Sequence, residues 1–149
     1  MPARALLEIV LEACPTSLKP LRQAMLPLLD RIGLSAADRD LLVLVLNEAF
    51  ANVVRHAYGN CGHGRTEVRI DRVRGALRFR MRDYADHCDP AKVKPRDLAD
   101  ARPGGLGINF IDETMQRWRL RPLRRGIGNT LIMYWRPRRG AGAATGETE

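Results

Sequence analysis

Three polar side chains with chemically useful groups occur four residues apart in an otherwise apolar stretch: Glu48, Asn52 and His56. In a helix, this spacing stacks side chains on one face. A carboxylate, a carboxamide and an imidazole are then aligned, and such groups together can exchange protons or hold a ligand. The same alignment occurs at a polar helix edge that faces water, so these residues alone leave both interpretations open.

The residues around this triplet predict the helix that must position it, over 35–59. Ser35 followed by Asp38 resembles a capping box with an acidic residue in place of the usual Glu or Gln, and Gly59 is a natural stop. Apolar residues recur at helical spacing between these ends. They predict a core-facing stripe made of Leu42, Val45, Leu46, Ala49 and Val53.

A second carboxylate, Asp83, directly follows a predicted strand. Residues 67–71 and 77–82 each alternate between apolar and charged residues, and a turn at 73–75 joins them into a predicted hairpin. One face of the hairpin packs on a core, while on the other face acidic residues of the first strand neighbour arginines of the second. Alternation places Asp83 on the core side, where a carboxylate needs a donor. Asp83 therefore either accepts from an amino group of a ligand or simply begins a loop.

Glycines lead into a further predicted helix, at Gly104, Gly105 and Gly107. Glycines at a helix N-terminus favour anion binding, because free N–H groups and the helix dipole face the ligand and no Cβ blocks its approach. Such a run is weak evidence by itself, since most are only turns. The preceding segment, 84–103, has no regular period and has the length of a lid or binding loop.

The rest of the chain predicts one domain over residues 1–136 and a disordered tail over 137–149. A strand is expected at 5–13 and a helix from about residue 17 to 32, which the interior Pro27 should kink or split. A helix from about 106 to 116 and strands at 118–121 and 127–135 complete the domain.

Composition narrows the class of protein. The chain has 149 residues, 45% of them hydrophobic and 28% charged, as in a globular domain with a proper core. Its longest aliphatic run, 41–46, is too short to cross a bilayer, and Glu8 and Glu12 interrupt any signal-peptide core. Three scattered cysteines without metal-ligand spacing favour a cytoplasmic protein over a disulfide-bonded one.

The formal net charge of +8 is unevenly distributed. Residues 1–60 carry six basic and six acidic side chains, whereas residues 61–149 carry nineteen basic and eleven acidic ones. A basic half indicates nucleic acid, an acidic partner or nucleotide phosphate, or merely a solvated arginine-rich surface. No helix-turn-helix, zinc spacing or aromatic-rich basic strand is present in the sequence, so nucleic-acid binding is the remote alternative.

The candidate groups follow one another in a characteristic order along the chain, namely Glu48, Asn52 and His56 on a helix, Asp83 after a strand, the loop, the glycines and then Gly128-x-Thr130 on a strand. This order resembles the GHKL ATPases, the superfamily of histidine kinases, DNA gyrase B and Hsp90 chaperones. The short single domain is more specifically similar to the RsbW-type serine-protein-kinase anti-sigma factors. The resemblance covers about residues 5–136, and the run 47–58 is its most specific part.

This resemblance implies a fold and a set of site residues. The fold is a two-layer α/β (α+β) sandwich of the Bergerat ATP-binding type, with a mixed sheet, helices on one face, and nucleotide between helices and lid. The implied cofactors are ATP and Mg²⁺. Asn52 matches the Mg²⁺ ligand, Glu48 the general base, and Asp83 the acceptor from the adenine amine. The phosphate-binding residues are Arg102, Gly104, Gly105 and Gly107, while Thr130 matches the residue that closes the adenine end and His56 lies near the base pocket.

The implied activity is that of a bacterial, cytoplasmic, ATP-dependent serine/threonine kinase and anti-sigma factor that regulates transcription. Such a protein binds a sigma factor and phosphorylates an anti-anti-sigma (STAS-domain) partner in a partner-switching circuit. A homodimer is also expected, because relatives often dimerise, and no membrane association is expected.

The sequence departs from the family pattern just after Asp83. The common pattern Asp-x-Gly-x-Gly is replaced by residues 83–87, in which Ala85 and His87 stand where the glycines are expected. If that backbone required positive φ, Ala85 would be strained by roughly 1 kcal/mol. His87 would crowd the adenine. This departure supports an alternative function, a nucleotide-binding or protein-docking module with weak or no transfer activity.

Overall fold

The computed structural model describes residues 3–58, 64–86, 88 and 106–138, apart from the side chains of residues 56, 57, 106 and 107. These residues form an α+β fold whose elements follow the predicted order. The strands are β1 (Arg4–Glu12), β2 (Arg65–Val73), β3 (Ala76–Arg82), β4 (Arg117–Pro122) and β5 (Asn129–Trp135). The helices are α1 (Leu18–Arg31), preceded by a 3₁₀ turn at Pro15–Ser17, α2 (Ala36–Tyr58) and α3 (Leu106–Thr114). The predicted tail lies largely outside the described residues.

The five described strands form one sheet in the order β1-β2-β3-β5-β4. All neighbouring strands are antiparallel, which corrects the expectation of a mixed sheet. The connection from β3 through α3 to β4 joins two strands that run in the same direction, as in a βαβ unit. However, β5 lies between them and runs against both, so no two neighbours are parallel.

Helix α2 provides most of the helical side of the core. Ser35 caps it, since its Oγ accepts a hydrogen bond from the Asp38 backbone N–H at 3.1 Å. Four residues of the predicted stripe are fully buried, namely Leu42, Val45, Leu46 and Ala49. The stripe then continues through Phe50 and Val54, because Val53 is only half-buried. The sheet meets this helical layer with the predicted apolar rows of β2 and β3, among them Ile70 and Phe79.

Helix α1 continues through Pro27, so the helix is not split there, and the alternative of a kink stays a prediction. Proline removes one backbone hydrogen bond and crowds the carbonyl four residues earlier, here that of Gln23. Pro27 is exposed, as is Gln23, so water can bind the carbonyl that the helix leaves unpaired. Leu21 and Met25, on the opposite side of the helix, stay fully buried in the core.

The hairpin of β2 and β3 sets the register of the sheet. Arg74 and Gly75 both have positive φ, 48° and 76°, as a two-residue type I′ turn requires. Asp71 consequently lies opposite Arg78, which confirms that acidic and basic residues neighbour each other across the hairpin. Within the described ranges, no helix combines the length and the apolar character of a membrane-crossing segment.

Candidate functional site

Helix α2 places Glu48 and Asn52 one turn apart. Glu48 is half-buried, and Asn52 is 8% exposed. The Asn52 Oδ1 accepts a long hydrogen bond of 3.4 Å from Arg55 Nη1, whereas the buried Nδ2 has no partner among the described residues. A buried polar atom without a partner is costly, so Asn52 is a position where a ligand would satisfy the side chain. The side chain of the predicted third member, His56, lies outside the described part of the chain.

A magnesium ion at Asn52 would need the carboxamide oxygen as its ligand and would be held mainly by a bound nucleotide. Mg²⁺ keeps several waters and takes few protein ligands beside substrate phosphates. Among the described residues, no group of three or more His, Cys, Asp or Glu side chains could hold a metal by itself. With Oδ1 turned to Arg55, Asn52 presents its Nδ2 donor, and presenting the oxygen to a metal requires the carboxamide to flip and give up the Arg55 bond.

Asp83 lies just beyond β3 and is 5% exposed. Its Oδ1 accepts three hydrogen bonds, from the backbone N–H of Ala85 at 3.1 Å, from the backbone N–H of Asn129 at 3.1 Å and from Asn129 Nδ2 at 3.0 Å. These donors offset the cost of burying the carboxylate. All three reach the same oxygen, so among the described contacts Oδ2 is left to accept from a ligand.

Asn129, which the sequence reasoning did not single out, connects β5 to the segment after Asp83. In addition to its bonds to Asp83, its Nδ2 donates to the Asp86 carbonyl at 2.9 Å and its Oδ1 accepts from the Cys88 N–H at 2.7 Å. The backbone N–H of Asp83 donates to the Asn129 carbonyl at 3.0 Å. One carboxamide thereby fixes both the aspartate and the chain that follows it.

Thr130, the residue predicted to close the adenine end, lies on the opposite face of the sheet from Asp83. It pairs with Arg82 and Arg121, whose side chains point away from the helices. Alternation along β5 explains the placement, because the buried residues are Asn129, Leu131, Met133 and Trp135. Asn129 is therefore the residue of this pair that contacts Asp83, while the role predicted for Thr130 stays a prediction. The same alternation was readable in the sequence.

In the segment after Asp83, where the family pattern has glycines, contacts from side chains hold the backbone in place. The backbone N–H of Tyr84 donates to the Tyr58 hydroxyl at 2.6 Å, and that hydroxyl donates to the Arg65 carbonyl at 2.8 Å. Burial raises the pKa of Tyr58 above its ordinary value, which keeps the hydroxyl protonated as a donor. Since Tyr58 ends α2, this contact brings the end of the helix that carries Asn52 to the end of the strand that leads to Asp83.

The ring of Tyr84 is packed between two guanidinium groups. Arg65 and Arg82 lie 4.2 Å and 4.4 Å from its centroid, and its hydroxyl is hydrogen-bonded to Glu67. Ala85 does not have the strained backbone considered above, because Arg74 is the one described non-glycine residue with positive φ. His87 lies outside the described residues, so its predicted crowding of the adenine stays a prediction.

Gly128 is required where β5 begins. Its φ is +103°, and a Cβ at this position would lie 1.9 Å from the backbone oxygen of Asp83. A substitution here would push β5 away from the chain at Asp83. The glycine of the predicted Gly128-x-Thr130 pattern is thus needed for close approach of the two segments.

The predicted phosphate-binding residues cannot be placed together. Arg102, Gly104 and Gly105 lie outside the described residues, while Gly107 lies in the first turn of α3. The described part of α3 begins at Leu106, and Gly104 and Gly105 come before this point in the sequence. Their role as an anion site stays a prediction.

A cavity of about 580 Å³ lies elsewhere, between the start of β1 and the end of α1. Its walls include Arg4, Arg31 and Arg72. Arg4 and Arg72 pair at one end of the sheet, where β3 begins and β5 ends. Asp83 and Asn129 lie at the opposite end, where β3 ends and β5 begins. This cavity is therefore separate from the candidate site.

Comparisons with known proteins agree with this geometry. A family model described as the histidine kinase-like ATPase domain matches residues 11–135. No curated protein matches the chain. The fold is similar to the crystal structure of the RsbU and RsbW domains of Rv1364c from Mycobacterium tuberculosis, with a TM-score of 0.61 and 20% identity. The match covers 91% of this chain and 32% of that one, so the chain spans about a third of its neighbour's length. At this identity the likeness shows the fold, and it confirms the predicted two-layer α+β architecture.

Proposed function

The chain belongs to the family of histidine kinase-like ATPase domains, the GHKL superfamily, and from this membership we propose an ATP-binding regulator of the RsbW type. In this proposal the domain, residues 1–136, binds ATP with Mg²⁺ and transfers its γ-phosphoryl group to a serine or threonine of a STAS-domain partner. It also binds and inhibits a sigma factor. Phosphorylation releases the STAS partner, so that the sigma factor stays inhibited, as in a cytoplasmic partner-switching circuit. A homodimer is the proposed assembly.

The observation that supports nucleotide binding most directly is the one-sided hydrogen bonding of Asp83. Three fixed donors hold Oδ1, which orients the carboxylate and leaves Oδ2 as an acceptor. An exocyclic amine of adenine is a donor of the right kind for such an oxygen, and a buried acceptor of this type discriminates strongly against ligands without the donor. Asn52 would hold Mg²⁺ through its carboxamide oxygen.

Glu48 is the proposed general base for phosphoryl transfer. Its carboxylate accepts the proton of the partner's hydroxyl while the hydroxyl oxygen forms a bond to the γ-phosphorus. The bond between that phosphorus and the β–γ bridging oxygen breaks, and the bridging oxygen leaves with the electron pair as part of ADP. The half-buried position of Glu48, one turn from Asn52, is compatible with access from a partner protein.

The neighbouring structure supports the regulatory part of the proposal by its architecture. In Rv1364c an RsbW domain occurs together with an RsbU domain in one longer chain. The sigma factor and the STAS partner proposed for this chain follow from the family resemblance.

A second candidate function is a nucleotide-binding or protein-docking module that does not transfer phosphate. The specific observation in its favour is the backbone of residues 83–86 and 88, which carries no glycine and is held by the side chains of Tyr58 and Asn129. A fixed segment favours a stable docking surface over the rearrangements that a turnover cycle requires.

Calorimetric titration of ATP and of ADP, each with Mg²⁺, tests the proposal. The wild-type chain should bind both nucleotides saturably, and Asp83→Asn should bind them roughly thirtyfold more weakly. Asp86→Asn is the matched control, because the Asp86 side chain is exposed and only its carbonyl takes part in the site. Absence of wild-type binding at millimolar nucleotide would contradict the proposal.

A transfer assay with labelled ATP and the STAS proteins of the same genome separates the two candidates. Kinase activity predicts labelling that Glu48→Gln abolishes while nucleotide binding persists. Binding without labelling of any STAS protein supports the docking module instead. Unchanged labelling by Glu48→Gln would remove Glu48 from the role of base.

A further inference from the structure

The face of the sheet that points away from the helices, here called the outer face, is divided by charge. Strand register arranges its side chains in three rows that cross all five strands. The rows are Ala5, Asp71, Arg78, Tyr134 and Arg117; then Glu8, Arg69, Arg80, Ile132 and Arg119; then Val10, Glu67, Arg82, Thr130 and Arg121. All three acidic residues lie on β1 and β2, whereas arginines extend to the far edge at β4.

The half of the outer face near β1 neutralises its own charges. Asp71 is fully buried, and Arg69, Arg78 and Arg80 lie 2.7, 2.8 and 3.3 Å from its carboxylate oxygens. Arg69 also pairs with Glu8. These arginines therefore have carboxylate partners within the fold.

The other half has arginines without such partners. We call Arg82, Arg117, Arg119 and Arg121 the basic face. None of the four forms an ion pair with a carboxylate among the described residues. The last three are exposed, on the edge strand β4.

Polar atoms beside the basic face also lack acceptors. The Nε atoms of Arg80 and Arg82 are buried and have no hydrogen-bond partner among the described residues. Two guanidiniums lie instead over aromatic rings, Arg82 over Tyr84 and Arg117 over Tyr134, at 4.4 and 4.3 Å from the ring centroids. Such a contact leaves the charge of the guanidinium available to a carboxylate, which it can bind through two N–H groups.

From this arrangement we propose that the basic face is a docking surface for an acidic segment of a partner protein. Charge complementarity carries the proposal, because the same sheet shows how its arginines bind carboxylates, at Asp71. Side chains two residues apart on β4 are roughly 7 Å apart, which is also the spacing of alternate side chains in an extended acidic segment. Ile132, half-buried between Arg80 and Arg119, provides an apolar centre of the kind found in protein interfaces.

The observations favour protein over nucleic acid as the occupant. Binding of single-stranded nucleic acid relies on aromatic rings that are open for bases to stack on. Tyr84 and Tyr134, the rings near the basic face, are already covered by guanidinium groups.

The docking surface is also independent of the proposed nucleotide site, because Asp83 belongs to the row that faces the helices. Partner docking there is therefore expected with or without ATP.

The test uses the full chain and a fluorescent eight-residue peptide of alternating Glu and Val, with a Gln–Val peptide and an eight-nucleotide DNA strand as comparisons. The triple variant Arg117→Gln, Arg119→Gln, Arg121→Gln removes three charges from β4. The matched control, Arg4→Gln, Arg22→Gln, Arg31→Gln, removes three exposed charges elsewhere. The single variant Arg119→Gln keeps the test valid if the triple variant fails to fold.

The acidic peptide should bind the wild-type chain in preference to the Gln–Val peptide, with the same affinity with and without ATP. Its affinity should fall by at least about tenfold in the β4 triple variant and less than about twofold in the control. Equal losses in the two triple variants would show only general charge attraction and would overturn the proposal. Tighter binding of DNA than of the peptide, with the same loss on β4, would replace the protein partner by nucleic acid.

Discussion

Asp71 and Asp83 are two buried carboxylates on opposite faces of one sheet, and they differ in what surrounds them. Asp71 is in contact with three guanidiniums, which engage both of its oxygens. Asp83 is held by neutral N–H donors, and all of those among the described residues reach one oxygen. A carboxylate saturated by cations has its binding capacity used within the fold. A carboxylate oriented on one side only keeps capacity for a ligand, which distinguishes a structural group from a site.

The largest effect should follow from neutralising Asp71. Asp71→Asn leaves three guanidiniums without their shared anion, and removing one partner of a buried ion pair typically destabilises by about 3 kcal/mol or more. Nucleotide affinity should stay within about twofold, because the residue lies on the other face. Chemical denaturation and calorimetric titration measure the two quantities. A loss of stability below about 1 kcal/mol would show that Asp71 is not the structural anchor of the outer face.

The converse pattern is expected for Asp83. In Asp83→Asn, the amide oxygen can still accept the three bonds at Oδ1, so the free energy of unfolding should change by less than about 1 kcal/mol. The amide N–H₂ replaces Oδ2 and opposes an amino group of the ligand. Nucleotide affinity should therefore fall by roughly thirtyfold, about 2 kcal/mol for a hydrogen bond to a charged group. A variant that loses stability but binds ATP normally would reverse the roles assigned to the two aspartates.

Asn129 and Thr130 are adjacent residues on opposite faces of the sheet, so their variants compare the two faces directly. Asn129→Ala removes one donor to Asp83 and the links to Asp86 and Cys88, and should weaken nucleotide binding by about tenfold. Thr130→Ala changes the outer face and should alter binding by less than about twofold. The same titration measures both variants. Equal losses would mean that the outward residue also acts on the site.

The smallest effect is expected from pH. Burial would raise the pKa of Asp71, but hydrogen bonds from Arg69 and Arg78 and the charge of Arg80 lower it on balance below its ordinary value. A lowered pKa in the folded state contributes stability above the unfolded pKa of about 3.9, and this contribution is lost as the pH falls through the folded pKa. Between pH 7 and 5 the difference in stability between wild type and Asp71→Asn should be constant, and below about pH 4 it should shrink. Denaturation midpoints across this range provide the measurement, and a difference that grows on acidification would contradict the assignment.

Much of the fold was predictable because its signals are local. The cap at Ser35, the stripe on α2 and the alternation in β2 and β3 each reflect a period set by the backbone. The turn at 73–75 between the two alternating stretches predicted the hairpin. These features needed no knowledge of distant segments, and the structure confirms them.

The features that the sequence did not predict depend on contacts between segments far apart in the chain. The burial of Asp71 requires arginines from two strands, and Tyr58 reaches Tyr84 only after α2 has packed on the sheet. The place of β5 between β3 and β4 could not be read from order alone. Asn129 is different, because its alternation with the apolar Leu131 is a local signal that places it on the buried face.

The position of β5 in the sheet also determines when the five-stranded sheet can form during synthesis of the chain. When synthesis has reached the end of β4, strands β1, β2 and β3 can already pair with one another, but β4 has no neighbour. The strand that pairs with both β3 and β4 is β5, the last of the described strands to be made. The sheet closes only when residues 129–135 emerge, and the same event brings Asn129 to Asp83. Assembly of the proposed nucleotide site therefore coincides with closure of the sheet, and a chain without β5 is expected to bind no nucleotide.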